Sequence, residues 1–217
     1  MFPLGDDDSG VRSHTPVTYI LIAINVLVFL LEMSQGNRFI EQWAFVPARF
    51  SRNPIGDWPT IFTAMFMHGG LMHLFGNMLY LWIFGNNVED RFGSVRFLVF
   101  YLLAGIAATF AQYVFVMNSS IPNVGASGAI AGVLGAYLLL FPRSAVRVAI
   151  GYSVVAMPAL IVIGGWIALQ LFSGVGSIAA TDETTQGGVA YMAHVGGFFA
   201  GIALAAVMRG RGPSRMA

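Results

Sequence analysis

Six long apolar segments constrain the fold of this 217-residue chain more than any other feature of its sequence. A transmembrane helix needs about 20 mostly apolar residues, and each segment comes near that length or exceeds it. The segments are Val17–Leu31, Ile61–Phe84, Phe97–Met117, Ala126–Phe141, Ala149–Phe172 and Val189–Met208. Only 10% of the residues are charged, whereas a soluble domain has about 25%. The sequence therefore predicts an all-α polytopic membrane protein, built as a bundle of six transmembrane helices.

The remaining parts of the chain are short. Residues 1–14 and 209–217 are predicted to be flexible tails, and residues 15–208 are predicted to form the six-helix core. Within the fifth segment, Pro158 predicts a kink, because proline interrupts the hydrogen-bond ladder of a helix.

Charge and cysteine content exclude several classes of function. The net charge of +1 leaves no basic field for nucleic acid. Cysteine is absent, which excludes disulfides, thiol catalysis and cysteine-ligated metals. The sequence implies no metal and no other cofactor, and the expected surroundings are a lipid bilayer.

The arginines predict the orientation of the bundle. Connections on the cytoplasmic side of a membrane are enriched in Lys and Arg. With both termini cytoplasmic, that side holds eight arginines: Arg12, Arg91, Arg96, Arg143, Arg147, Arg209, Arg211 and Arg215. The opposite side holds only Arg38, Arg49 and Arg52. In this orientation the second, fourth and sixth spans run in the same direction, so their first halves share the outer leaflet.

Those first halves contain most of the unusual polar residues. His73 and Asn77 are four residues apart in the second span and share one helix face. Ser127 opens the fourth span, and His194 lies near the start of the sixth. Polar and ionisable groups in the bilayer are costly and normally face the bundle interior or a watery cavity. The pattern predicts that these four side chains form a site.

The residue types favour nucleophilic acyl transfer. A serine hydroxyl is a weak nucleophile and needs a base within hydrogen-bond reach. His194 is on a different helix from His73 and Asn77, which leaves it free to act as that base. Ser127 lies at a helix N-terminus, where unpaired N–H groups favour a developing oxyanion. The side chains of His73 and Asn77 are candidate donors to the same oxyanion.

Glycines at regular spacing predict close helix packing. Gly128 belongs to a small-residue stripe on the fourth span, and Gly197 and Gly201 form a GxxxG pair on the sixth. Small residues let two helix backbones approach closely in a membrane. A short distance between Ser127 and His194 requires such an approach.

Three motifs carry a resemblance to a known family. They read HGGLMHLFGN (His68–Asn77), GASG (Gly125–Gly128) and AHVGGFFAG (Ala193–Gly201). In order and spacing they resemble the rhomboid intramembrane serine proteases, over residues 17–208. The resemblance implies a Ser127–His194 dyad and an oxyanion hole formed by His73, Asn77 and the Ser127 N–H group. It also implies single-span membrane proteins as substrates, cleaved near the outer face. Supporting or structural roles are implied for His68, Gly125, Gly128, Gly197, Gly201 and Glu89.

Two positions depart from the family pattern. Many members have Trp-Arg in the first loop, where this chain has Trp58-Pro59. Many also have a tyrosine one turn after the serine, packed on the histidine, where this chain has Ala131. Another aromatic residue or the helix packing itself must then orient His194.

Other classes of protein stay open at this point. A catalytically inactive rhomboid-like protein would bind membrane helices without cleaving them. A metalloprotease using His68, His73 and His194 is disfavoured, because HExxH is absent and no carboxylate lies within a predicted span. A transporter or channel would show inverted repeats or a charged pathway, and neither is found. The compact core favours a bacterial cytoplasmic membrane as the location, with the site open to the outer side.

Overall fold

A computed structural model describes residues 2–7, 11, 14–179 and 189–208, and these form ten α-helices and three β-strands. The helices are α1 (Pro16–Gln35), α2 (Asn37–Trp43), α3 (Pro47–Arg52), α4 (Pro54–Asp57), α5 (Thr60–Thr63), α6 (Leu71–Phe92), α7 (Ser94–Phe115), α8 (Ser127–Leu140), α9 (Ala159–Ala179) and α10 (Tyr191–Met208). The strands are β1 (Phe2–Gly5), β2 (Ala145–Ile150) and β3 (Ser153–Pro158). The predicted tail at residues 209–217 lies outside the described residues.

Six of these helices form the bundle, and the prediction of a polytopic helical membrane protein is confirmed. Helices α1, α7, α9 and α10 are long and apolar enough to cross a membrane. Helix α8 is equally apolar but has only 14 residues. Helix α6 has 22 residues and is more polar along its length. Length and composition therefore identify four spans, and α6 and α8 pack among them.

Helix α8 occupies the centre of the bundle. Every residue from Gly128 to Tyr137 is buried, as expected for a helix that is apolar on all sides. The helix contacts α6, α7, α9 and α10. Its contact with α10 depends on glycine, because a methyl group on Gly197 would overlap the carbonyl oxygen of Gly128, and one on Gly201 would overlap that of Gly132. These two backbones touch directly, which places the start of α8 against the start of α10.

The second predicted span is wrong in its first part. The apolar run from Ile61 forms α5, a 3₁₀ turn at Ala64–Phe66 and a short non-helical segment, and α6 begins only at Leu71. Gly69 and Gly70 directly precede that helix, and glycine disfavours a continuous helix through its conformational freedom. His68 therefore lies in the connection before α6 and not on the helix that carries His73.

The fifth predicted span is wrong in the same way, and Pro158 does not kink a helix. Residues 145–158 form the antiparallel β2–β3 hairpin, which turns at Gly151 with φ +59°, and α9 begins after Pro158. A short apolar run does not distinguish a buried strand from a helix. The described part of the chain thus contains a small sheet, ordered β1–β2–β3, that the sequence did not predict.

Part of the predicted N-terminal tail is a strand. Residues 2–5 form β1, which pairs antiparallel with β2. The carboxylate of Asp6 accepts hydrogen bonds from the hydroxyl of Tyr137 at 2.6 Å and from Nδ2 of Asn87 at 2.7 Å. Asp6 therefore lies against the C-terminal half of α8, about 15 Å along that helix from Ser127.

Glu89 holds three helices together from a buried position, with 1% of its surface exposed. Its carboxylate accepts hydrogen bonds from the N–H groups of Val17 and Thr18 at 2.9 and 2.7 Å, and from the Ser94 hydroxyl at 2.6 Å. It thereby satisfies free donors in the first turn of α1, where a negative charge is favourable. The side chain is part of α6 and joins that helix to α1 and α7.

Candidate active site

Ser127 begins α8 at the end of a tightly held connection. The N–H of Gly125 donates to the carbonyl of Ala64 at 2.9 Å, and that of Asn123 donates to the carbonyl of Phe45 at 2.8 Å. Gly125 has φ +137°, a backbone conformation that other residues rarely adopt. The connection therefore presents the hydroxyl and the free N–H groups of the first turn of α8 in a fixed position.

His73 lies against this connection. A methyl group added to Gly125 would lie 3.0 Å from Cε1 of His73, 3.1 Å from its Nε2 and 3.4 Å from Oγ of Ser127. The imidazole and the serine hydroxyl thus border the same small space, which any side chain at position 125 would fill. Glycine is required here for the close approach as well as for the backbone angle.

The hydrogen bond of His73 determines which ring nitrogen can donate. Its Nδ1 accepts from the N–H of Gly69 at 3.4 Å, a long contact. In a neutral imidazole one nitrogen accepts and the other carries the proton, so this contact favours the tautomer with the proton on Nε2. That nitrogen is the one that faces Gly125 and Ser127.

Asn77 supplies a buried donor on the same face of α6, one turn after His73. The side chain is 8% exposed, and its Nδ2 has no hydrogen-bond partner among the described residues. A buried donor without a partner is costly, and such groups are found where a ligand or a transition state provides the missing acceptor. Helix α6, which carries Asn77, packs against α8, which begins at Ser127.

His194 lies in the first turn of α10 and is 8% exposed. Ala193, which precedes His194, packs near Gly128, which follows Ser127. A methyl group on Gly128 would lie 3.7 Å from the carbonyl oxygen of Ala193. Within the described part of the chain no hydrogen bond joins Ser127 to His194, and Nδ1 of His194 is hydrogen-bonded to Oε1 of Gln170 at 2.8 Å. In enzymes without a bound substrate, catalytic hydrogen bonds are often long and form only in the complex.

A cavity of about 50 Å³ opens beside Ser127. Besides Ser127 and Gly125, its lining includes Thr109 and Gln112 of α7, with Ala190 and Ala193 at and just before the start of α10; His73, Asn77 and His194 are not part of it. The space suffices for a few water molecules. A hydrolytic site within a membrane needs such a space, because water must reach the reacting carbonyl.

His68 is buried beside His73. It is 1% exposed, its N–H donates to the Glu32 carboxylate at 3.0 Å, and its ring packs edge-on against His73 with centroids 5.2 Å apart. His68 thus supports the position of the His73 ring. Among the residues that the structure describes, no three His, Asp or Glu side chains converge as ligands for a metal ion, so His68, His73 and His194 do not form a ligand set.

Arg49 anchors the first loop. Its Nε contacts the carboxylate of Asp57 at 2.6 Å, and its guanidinium also donates to the carbonyls of Glu41 and Ala44. Arginine suits this position because its planar fork has five donors. The anchor fixes the loop that contains Phe45, which in turn pairs with Asn123 before Ser127. The sequence did not indicate Arg49 as this anchor.

Two residues on α9 contact the ring of His194. The ring of Trp166 lies 5.7 Å from that of His194, measured between centroids. Gln170 makes the hydrogen bond to Nδ1 described above. Position 131 itself is fully buried and contributes no group that could orient the histidine. Sequence reasoning missed Gln170, although a lone amide side chain in an apolar span was a usable signal.

These features define a polytopic integral membrane protein in which His73 and Ser127 border one small space and a separate small cavity opens beside Ser127 toward α7. The model of the rhomboid domain matches residues 56–211. That range exceeds half of the chain, and the chain therefore belongs to the rhomboid family, as its motifs indicated.

Three relatives illustrate the similarity. Rhomboid protease GluP of Bacillus subtilis is 38% identical over 191 residues, which cover 86% of this chain and 34% of the relative. Rhomboid protein 1 of Saccharomyces cerevisiae mitochondria is 29% identical, with 86% and 51% covered. Rhomboid protease GlpG of Salmonella newport is 27% identical, with 88% and 63% covered. The chain thus spans between a third and two thirds of the length of these relatives.

Proposed function

We propose that this protein is an intramembrane serine protease, which hydrolyses peptide bonds in or near the transmembrane segments of single-span membrane proteins. One observation carries the proposal: Ser127 Oγ and Nε2 of His73 border one space at Gly125. A nucleophile and an oxyanion donor about 3 Å from a common point are what acyl transfer requires. The names of the relatives GluP and GlpG as rhomboid proteases add support.

The first half of the reaction forms an acyl-enzyme. Oγ of Ser127 attacks the carbonyl carbon of the scissile bond, and its proton passes to Nε2 of His194. The negative charge on the carbonyl oxygen is stabilised by His73, Asn77 and the N–H of Ser127. The C–N bond then breaks, and His194 returns the proton to the departing amine.

The second half releases the acyl group. A water molecule from the cavity beside Ser127 attacks the ester carbon and gives a proton to His194. The oxyanion is stabilised by the same donors, the bond to Oγ breaks, and His194 returns the proton to the serine. The reaction consumes one water molecule and needs no cofactor.

The test uses a fluorophosphonate probe, in which the serine oxygen displaces fluoride from phosphorus. The detergent-solubilised protein is expected to form one covalent adduct, located by peptide mass spectrometry on Ser127, and to cleave a tagged single-span substrate. Ser127→Ala should lose both activities, whereas Ser144→Ala, near β2, should keep both. If the unaltered protein neither reacts nor cleaves, the protease proposal is wrong and the inactive helix-binding alternative takes its place.

The proposal includes an orientation in a bacterial cytoplasmic membrane, with both termini in the cytoplasm and the site open to the outer side. The asymmetry of the arginines supports it. Since the chain has no cysteine, single cysteines can report on each side. A membrane-impermeant maleimide should label Ser120→Cys in intact cells and Ser144→Cys only after permeabilisation. The reverse pattern would refute the orientation.

A further inference from the structure

The hydrogen bond between His194 and Gln170 joins two helices at a buried position. The two residues are 24 positions apart, and Oε1 of Gln170 lies 2.8 Å from Nδ1 of His194. Gln170 is half-buried on α9, a helix otherwise composed of apolar and small residues. Amide side chains are costly within a membrane helix and normally face a partner inside the bundle. Here that partner is the proposed catalytic base.

The same face of α9 holds the ring of His194 in a second way. Trp166 precedes Gln170 by four residues and is therefore its neighbour on the helix surface. Its indole ring lies 5.7 Å from the imidazole, tilted by 39°. One turn of α9 thus provides both a packing surface and a hydrogen-bond acceptor for a histidine that lacks the family's tyrosine.

The chemistry of the amide determines which nitrogen of His194 is free. The carbonyl oxygen of glutamine only accepts hydrogen bonds, so Nδ1 of the imidazole donates the proton that it carries. The neutral ring then has its lone pair on Nε2, which is the form that can take a proton from a serine. In serine proteases with a triad, a buried aspartate fixes the tautomer in this way. A neutral amide performs the same selection without the cost of a buried charge.

We propose that Gln170 is the positioning residue of the catalytic dyad: it holds His194 in the tautomer that accepts the proton of Ser127. The proposal rests on the proposed protease function. During the reaction the amide oxygen remains hydrogen-bonded to Nδ1, and its dipole stabilises the imidazolium that forms. Gln170 contacts neither substrate nor reacting atoms, so its effect passes entirely through His194.

Two variants with side chains close in size to glutamine separate the effect of the hydrogen-bond acceptor from the effect of packing. Gln170→Met keeps the shape but removes the acceptor, and kcat for a single-span substrate is expected to fall about 10- to 100-fold with KM unchanged. The rate of fluorophosphonate labelling should fall by the same factor. Gln170→Glu keeps an acceptor oxygen at this position. Above neutral pH its kcat should therefore stay within about tenfold of that of the unaltered enzyme. Leu169→Met, on the exposed side of α9, should change none of these values.

A spectroscopic measurement tests the tautomer without activity. With ¹⁵N-labelled histidine, protonated and unprotonated ring nitrogens have well-separated chemical shifts. Spectra of Ser127→Ala should show His194 protonated at Nδ1, and adding Gln170→Met should shift population toward Nε2–H. The signal is assigned by its loss in His194→Ala.

The outcomes distinguish the two proposals. If the unaltered protein labels with the probe but Gln170→Met keeps its kcat and its histidine spectrum, the positioning role is wrong and the protease function stands. If Gln170→Met loses activity and Gln170→Glu does not recover it, the amide oxygen is not the operative group and the inference fails. If no variant labels at all, the protease function fails, while the histidine spectrum still decides whether Gln170 selects the tautomer.

Discussion

Replacing His194 by alanine is expected to lower kcat for a single-span substrate by about 10⁴- to 10⁶-fold, the largest effect in this protein together with that of Ser127→Ala. Without the imidazole of His194 no equivalent base remains: the amides of Asn77 and of the backbone do not take up a proton, and Nδ1 of His73 already accepts from the N–H of Gly69. The serine hydroxyl then stays protonated and reacts neither with a peptide carbonyl nor with a fluorophosphonate. The measurement is kcat at saturating substrate in detergent, with probe labelling as a second readout.

A double variant tests whether Ser127 and His194 act together. Residues that act as one unit lose their joint effect when either is removed. Ser127→Ala combined with His194→Ala should therefore be no slower than each single variant, whereas independent residues would multiply their effects. His14→Ala is the matched control, because this histidine is exposed and far from the site in sequence. Residual cleavage by His194→Ala at more than a hundredth of the normal rate would identify another base and remove His194 from the dyad.

The sequence indicated the residues of the candidate site more clearly than it indicated the boundaries of the helices. Polar residues inside apolar segments are so costly that Ser127, His194 and Asn77 each stood out without a structure. Boundaries depend on weaker preferences: an apolar run such as 145–158 is compatible with a strand or a helix until its partners are known. Here β1 supplies an edge for β2, and that pairing involves residues 2–5, which had no strong signal of their own.

Contacts between distant residues account for what the sequence did not reveal. Arg49 is one of three arginines in the first loop, and nothing in their spacing distinguishes the one that meets Asp57. Gln170 was visible as a polar residue in an apolar segment, but its partner is determined by the packing of α9 on α10. The rotation of α9 about its axis decides whether Gln170 faces His194 or the lipid, and that rotation follows from contacts along the whole helix.

Asn77→Ala is expected to lower kcat about 10²- to 10³-fold with little change in KM, which corresponds to a barrier about 2.7–4 kcal/mol higher. The reason is that Nδ2 of Asn77 has no partner among the described residues, so its hydrogen bond is made only when an oxyanion forms. Binding energy that appears only in the transition state changes kcat and leaves substrate affinity alone. Steady-state kinetics with a tagged single-span substrate measure both constants.

The stability of Asn77→Ala distinguishes a catalytic role of Asn77 from a structural one. Removing a buried donor that has no partner costs little stability, so the unfolding temperature of Asn77→Ala should be little changed or higher. Asn25 is the matched control: it is also buried, but its Nδ2 donates to the carbonyl of Leu21 at 2.7 Å. Asn25→Ala should therefore lower the free energy of unfolding by about 0.5–1.5 kcal/mol. Its unfolding temperature should fall accordingly, and kcat should stay unchanged. If Asn77→Ala instead loses stability like Asn25→Ala and keeps its kcat, Asn77 holds the helices together and does not stabilise the oxyanion.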